Sequence, residues 1–134
     1  MPYLFLVVFG VLMSFAGCSR AVSLKNTQAQ LCPVPTVTLN VTNNKWTAVA
    51  LYVVHGSSRD RLGLVPSVQS ATYPIPPGLL GPDGQIFVEV DAVGAPDVYR
   101  TPSIMVLSTR TIIDLTVENF IAYSTVFVSS EDEP

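Results

Sequence analysis

Thr36-Val37-Thr38-Leu39-Asn40-Val41-Thr42 alternates apolar and polar side chains over its whole length. Successive side chains of a β-strand point to opposite faces. Val37, Leu39 and Val41 therefore form one buried face, and Thr36, Thr38, Asn40 and Thr42 a wet one. The following Thr42-Asn43-Asn44-Lys45 reads as a turn, because Asn tolerates left-handed backbone. Residues 47–55 are apolar on both faces, with Val49, Leu51 and Val53 on one side and Ala48, Ala50, Tyr52 and Val54 on the other. Covering on both sides predicts a central strand.

The same period recurs downstream. Residues 59–65 follow the tight turn Gly56-Ser57-Ser58 and complete a hairpin with residues 47–55. Residues 68–75 form a weaker strand, which Pro74 restricts to a sheet edge. Prolines and glycines over 76–84 bracket a loop that carries Leu79 and Leu80. In 86–93, Ile86, Val88, Val90 and Ala92 alternate with Phe87, Glu89, Asp91 and Val93. A crossing loop is expected over 94–102. Residues 104–107 and 111–118 are expected to form a second hairpin around Ser108-Thr109-Arg110, with Ile113, Leu115 and Val117 facing inward. A turn at 119–122, a closing strand at 123–128 and a frayed acidic tail complete the chain. The expectation is all-β: an antiparallel β-sandwich of about 7–8 strands over residues 36–130, immunoglobulin-like or transthyretin-like. A helical signal segment precedes it, and 131–134 form an acidic tail.

The chain has 134 residues, of which 49% are hydrophobic and 13% charged, and its formal net charge is −3. That length suits one domain. Seven scattered basic residues lack the concentrated Lys/Arg surface that nucleic acid requires, so no nucleic-acid partner is expected. Two cysteines are too few for a disulfide framework.

The first sixteen residues carry no charged side chain. Their apolar run, about 11–14 residues, is shorter than the roughly 20 that span a bilayer, and suits the core of an export signal. It ends in Ser14-Phe15-Ala16-Gly17-Cys18-Ser19. This resembles the lipobox of type II signal peptides, with Ala16-Gly17-Cys18 matching and Phe15 in place of the usual Leu. Met1-Pro2 holds no Lys or Arg, so either the true start lies upstream or the signal is atypical. The resemblance implies a signal peptide over 1–17, acyl chains such as palmitate on Cys18, and a bacterial lipoprotein anchored in the cell envelope, periplasmic or at the outer surface. Residues 18–35 would then be the lipidated N-terminus and tether. Ser19-Arg20 lacks the Asp that often marks inner-membrane retention.

Four further stretches, Val41-Thr42-Asn43-Asn44-Lys45-Trp46, Leu51-Tyr52-Val53-Val54-His55-Gly56, Arg59-Asp60-Arg61-Leu62-Gly63 and Leu115-Thr116-Val117-Glu118-Asn119, within a likeness that covers most of 41–128, resemble small bacterial β-sandwich lipoproteins. That resemblance implies no activity.

Chemistry is sparse. His55 is the only histidine, at a strand end beside Gly56, and is expected to be solvated. It lacks a recognisable nucleophile and orienting partner. Cys32 with one histidine cannot build a zinc site, so no metal and no cofactor are expected. Glu89, Asp91 and Asp114 are the candidates for a carboxylate enzyme site, although strand spacing also places them on solvated faces. Trp46 is expected to cap the core, with partner contact as the alternative. Leu79 and Leu80 are either a second contact surface or a cover folded back on the core. The reading is a non-catalytic, membrane-anchored domain that docks an envelope protein or component. The alternatives are a carboxylate-based enzyme and a carrier of a small apolar ligand.

Overall fold

The structure is a computed structural model, and it describes residues 34–131. The export signal, Cys18, Cys32 and the segment expected to act as a tether lie outside those residues.

The described chain is mostly β and forms two sheets. Nine strands run in order: β1 (Thr36–Asn43), β2 (Val49–His55), β3 (Ser58–Val65), β4 (Gln69–Ile75), β5 (Gln85–Ala92), β6 (Val98–Arg100), β7 (Ile104–Met105), β8 (Arg110–Val117) and β9 (Thr125–Ser130). Single 3-10 turns at Pro77–Leu79 and Ile121–Tyr123 are the helical content. One sheet has the order β4-β1-β8-β9, and the other β3-β2-β5-β6 with β7 also on β5.

The alternation in β1 is realised as expected. Val37, Leu39 and Val41 are buried, and they meet Ile113, Leu115 and Val117 of β8 and Ile75 of β4. Val49, Leu51 and Val53 of β2 and Ile86, Val88 and Val90 of β5 supply the other half of the core. β2 lies between β3 and β5, which explains why both its faces are apolar. Its outer face is roofed by long side chains: the Arg59 guanidinium carbon stands 3.4 Å from the Tyr52 ring centroid.

Three expectations are corrected. The fold is not purely antiparallel, because β1 and β8 pair in parallel, Leu39 opposite Ile113 and Val41 opposite Leu115. Their connection crosses between sheets, so no short turn has to join them. Residues 104–107 and 111–118 do not form a hairpin: β7 pairs with β5, while β8 pairs with β1 and β9. The crossing loop also contains a strand. β6 and β7 lie along the same side of β5 as one broken edge strand. Between them Thr101 still donates its N–H to Val88 O at 2.9 Å and accepts the Val88 N–H on its hydroxyl at 3.0 Å. Pro102, with no N–H to give, follows at the break.

The chain end is held rather than frayed as far as Glu131. Ser129 and Ser130 belong to β9. The Glu131 N–H donates to Arg110 O at 3.0 Å, and its carboxylate pairs with the Arg110 guanidinium at 3.1 Å.

Where β3 and β4 run side by side, the two sheets close on each other. The Tyr73 hydroxyl donates to Leu64 O at 2.8 Å, and a Cβ at Gly63 would overlap the Tyr73 ring. That corner requires glycine at 63.

Leu51 is fully buried at the centre of β2. Leu51→Asp should abolish cooperative thermal unfolding, because an unpaired carboxylate in this core costs several kcal/mol. Circular dichroism of a Leu51→Asp protein that still melts cooperatively near the wild-type temperature would contradict this placement.

Candidate functional site

β1 runs from Thr36 at one end of the sheets to Asn43 at the other. The pairings of Val49 with Val65 and Ala92, and of Asn43 with Gln69 and Val117, gather four loops at the Asn43 end. They are residues 44–48, 66–68, 93–97 and 118–124. The incoming chain lies at the opposite end.

Asn43 organises this loop cluster. Period two carries it to the inner face after Val37, Leu39 and Val41, and it is buried. Its amide nitrogen donates to Thr47 O (3.0 Å), Val65 O (3.3 Å) and Pro66 O (2.9 Å). Its amide oxygen accepts the Lys45 N–H at 2.9 Å. One side chain thus closes the 44–48 loop on itself and ties it to the 66–68 loop.

Lys45 makes the next set of links. Only 6% of it is exposed. Its ammonium donates to Asn119 O at 2.7 Å and stands 3.4 Å from an Asp97 carboxylate oxygen. A lysine is buried where its charge is paired and hydrogen-bonded. By local sequence both Asn43 and Lys45 are turn residues; the phase of β1 is the signal that Asn43 points inward, and nothing local marks Lys45. Further bonds join Val68 N–H to Lys45 O (3.1 Å), Asn44 N–H to Val117 O (2.8 Å) and Val93 N–H to Ala48 O (2.9 Å). Ser124 closes the 118–124 loop, its hydroxyl accepting the Glu118 N–H at 3.1 Å.

This bonded framework presents apolar side chains to water. Trp46 is 78% exposed, and Phe120 and Tyr123 are each 74% exposed. The Phe120 and Tyr123 rings meet edge to face at 6.5 Å. Val68 and Val93 are exposed beside them. Val68 adopts φ 53°, a left-handed conformation that strains a β-branched residue. The expectation that Trp46 caps the core is corrected: the core ends at Asn43, whose polar side chain needs the space, and the indole lies outside.

The other sequence candidates separate. Leu79 and Leu80 are half-buried against the core at the end opposite Trp46, so they cover it rather than extend the aromatic surface. Glu89 and Asp91 share the outer face of β5, where Arg59 holds them, its Nε donating to Glu89 at 2.7 Å and its Nη2 to Asp91 at 3.5 Å. That hydrogen bond from Arg59 to Glu89 raises the guanidinium pKa. Asp114 lies on the outer face of the other sheet, accepting from the Asn40 amide at 2.8 Å. The three carboxylates therefore do not converge. His55 Nε2 stands 3.3 Å from Asp60. It is less solvated than expected, with its side chain 20% exposed. No group of three or more His, Cys, Asp or Glu side chains that could hold a metal occurs among the described residues. An open groove of about 440 Å³ lies on the outer sheet face, between Tyr52, Arg61, Asp91 and the 93–96 turn.

No protein-family model matches the chain. No curated protein matches it either. Among solved structures it is similar to a protein from Eubacterium rectale studied by NMR, at 11% identity and TM-score 0.43, covering 74% of this chain and 93% of that one. It is similar to a structure described as a trapped toxin, at 12% identity and TM-score 0.41, covering 72% of this chain and 24% of that one. It is also similar to the membrane-binding domain of pneumolysin, at 9% identity and TM-score 0.39, covering 73% and 99% of the two chains. These scores lie below the level that identifies a shared fold.

Asn43→Leu keeps the size and removes the hydrogen bonds, leaving three carbonyls and the Lys45 N–H to find other partners. It should lower stability by about 2–4 kcal/mol. A denaturant midpoint unchanged from wild type would show that the loop cluster does not depend on Asn43.

Proposed function

We propose that the chain is a lipid-anchored lipoprotein of the bacterial cell envelope, whose β-domain docks an envelope protein through Trp46, Phe120 and Tyr123. The observation that carries this reading is the direction of β1. The chain enters the sheets at Thr36, and the exposed aromatic side chains stand at the far end, beyond Asn43. Acyl chains on Cys18 would hold the entry side toward the membrane. Residues 18–35, fully extended, would reach at most about 60 Å.

The chemistry of the far end favours a protein partner. Trp and Tyr supply the binding energy of many interfaces, because they bury large area with few rotatable bonds. Loops already ordered by hydrogen bonds lose less entropy on docking. Lys45, Asn43 and Ser124 supply that ordering beneath the exposed rings. The two-sheet architecture belongs in this reading to a sandwich of immunoglobulin-like or transthyretin-like type.

Cells fed radioactive palmitate should label the wild-type chain and not Cys18→Ala, and the substituted chain should move to the aqueous fraction with its fold unchanged. Absence of label on the wild-type chain would refute the anchor. Trp46→Ala should lose about thirtyfold in affinity for the protein crosslinked to the 44–48 loop in intact cells, at unchanged thermal stability, as expected of an interface anchor. Equal recovery from both would refute the aromatic docking surface.

A further inference from the structure

Among the described residues the two sheets end in four edges, and three of them carry features that block further strand pairing. β3 carries Arg59, Asp60 and Arg61, the two arginines exposed, and has a bulge opposite Leu51 and Tyr52. β4 contains Pro74 and is closed against β3 by Tyr73. β6 is three residues long and includes Arg100. Such charges, prolines, bulges and short strands are the usual protection of edges. β9, Thr-Val-Phe-Val-Ser-Ser over Thr125–Ser130, has none of them.

Its side away from β8, which no described residue pairs, is equipped for pairing. The Glu131 N–H bonds Arg110 O, so in this antiparallel ladder Thr125, Phe127 and Ser129 direct their backbone groups to β8. Val126, Val128 and Ser130 then direct both N–H and C=O away from it. Val128 faces inward, opposite Ile113, yet is 47% exposed, and Phe127 on the outer face is 70% exposed. The inner face of the sheet is thus left partly uncovered along this seam.

We propose that β9 is a dimerisation edge whose occupant is β9 of a second copy of this chain. The strand is uncharged, so its copy meets no like charge. Two-fold pairing keeps outer side chains opposite outer ones. It also requires residues with free backbone groups to face each other. Val128 opposite Val128 of the second copy, with Val126 opposite Ser130 of the second copy, meets both conditions. All six free N–H groups of the two strands then bond, and the two half-exposed valines cover each other. The result is a continuous eight-stranded sheet.

Val128→Pro removes an N–H that β8 does not use, and Val128→Lys sets two ammonium groups across the axis. The full-length chain in mild detergent, measured by sedimentation, should be dimeric at micromolar concentration. Both variants should weaken the dimer by at least about thirtyfold while keeping the wild-type circular dichroism. If Val128→Pro fails to fold, Val128→Lys carries the test alone, since a half-exposed lysine stem can reach water. Hydrogen exchange at Val126 and Val128 should be slow in the dimer and fast in the Lys variant. A wild-type monomer overturns the proposal, whether its β9 amides exchange fast or are protected by another segment or protein. A dimer that persists in folded Val128→Lys also overturns it.

Discussion

The parallel pairing of β1 with β8 is the contact on which the rest depends. It joins residues more than seventy positions apart, such as Asn40 and Asp114, and it places Leu39 and Val41 beside Ile113 and Leu115. β4 attaches only to β1 in this sheet, and β9 only to β8. Without the central pair, neither edge strand has a sheet to join. The pairing also closes the chain's first described strand onto its late ones, so loop-closure entropy is spent before the two halves of this sheet join. That burden falls on apolar packing between the sheets, not on local turns.

The same pair fixes what each end of the domain presents. Because β1 and β8 run in one direction, the loops that follow them, 44–48 and 118–124, emerge at the same end. Lys45 can reach Asn119 only for that reason. An antiparallel arrangement would have sent the two loops to opposite ends and separated Trp46 from Phe120 and Tyr123. The exposed aromatic cluster is therefore a product of topology, and its order comes from two buried polar side chains, Asn43 and Lys45. Each is hydrogen-bonded, and no buried side-chain nitrogen or oxygen lacks a partner among the described residues. The strained Val68 sits on this cluster, where the Lys45 carbonyl holds its N–H.

The carboxylates show how faces, more than composition, decide chemistry. Glu89 and Asp91 sit two residues apart on β5 and share one guanidinium, while Asp114 joins a polar row with Asn40 and Thr72 on the other sheet. Alternation predicted that all three point outward, which is correct. It could not say that two outward faces of a two-sheet protein look in opposite directions. The same limit applied to Trp46 and the leucine pair. A large apolar residue after a strand is read as core unless a polar side chain already occupies that position, and Asn43 does.

Taken by itself, the sequence determined the positions of β1 to β5 and β8 to within a residue or two, the inward set Val37, Leu39, Val41, Ile113, Leu115 and Val117, the central place of β2 and the edge place of β4. These follow from period two and from proline's missing N–H, which act within a single strand. Strand partners, the parallel pair, the broken edge β6–β7 and the gathering of aromatic side chains at one end were decided only in the tertiary structure. They depend on which apolar faces meet across long separations, and a linear alternation is equally compatible with many pairings.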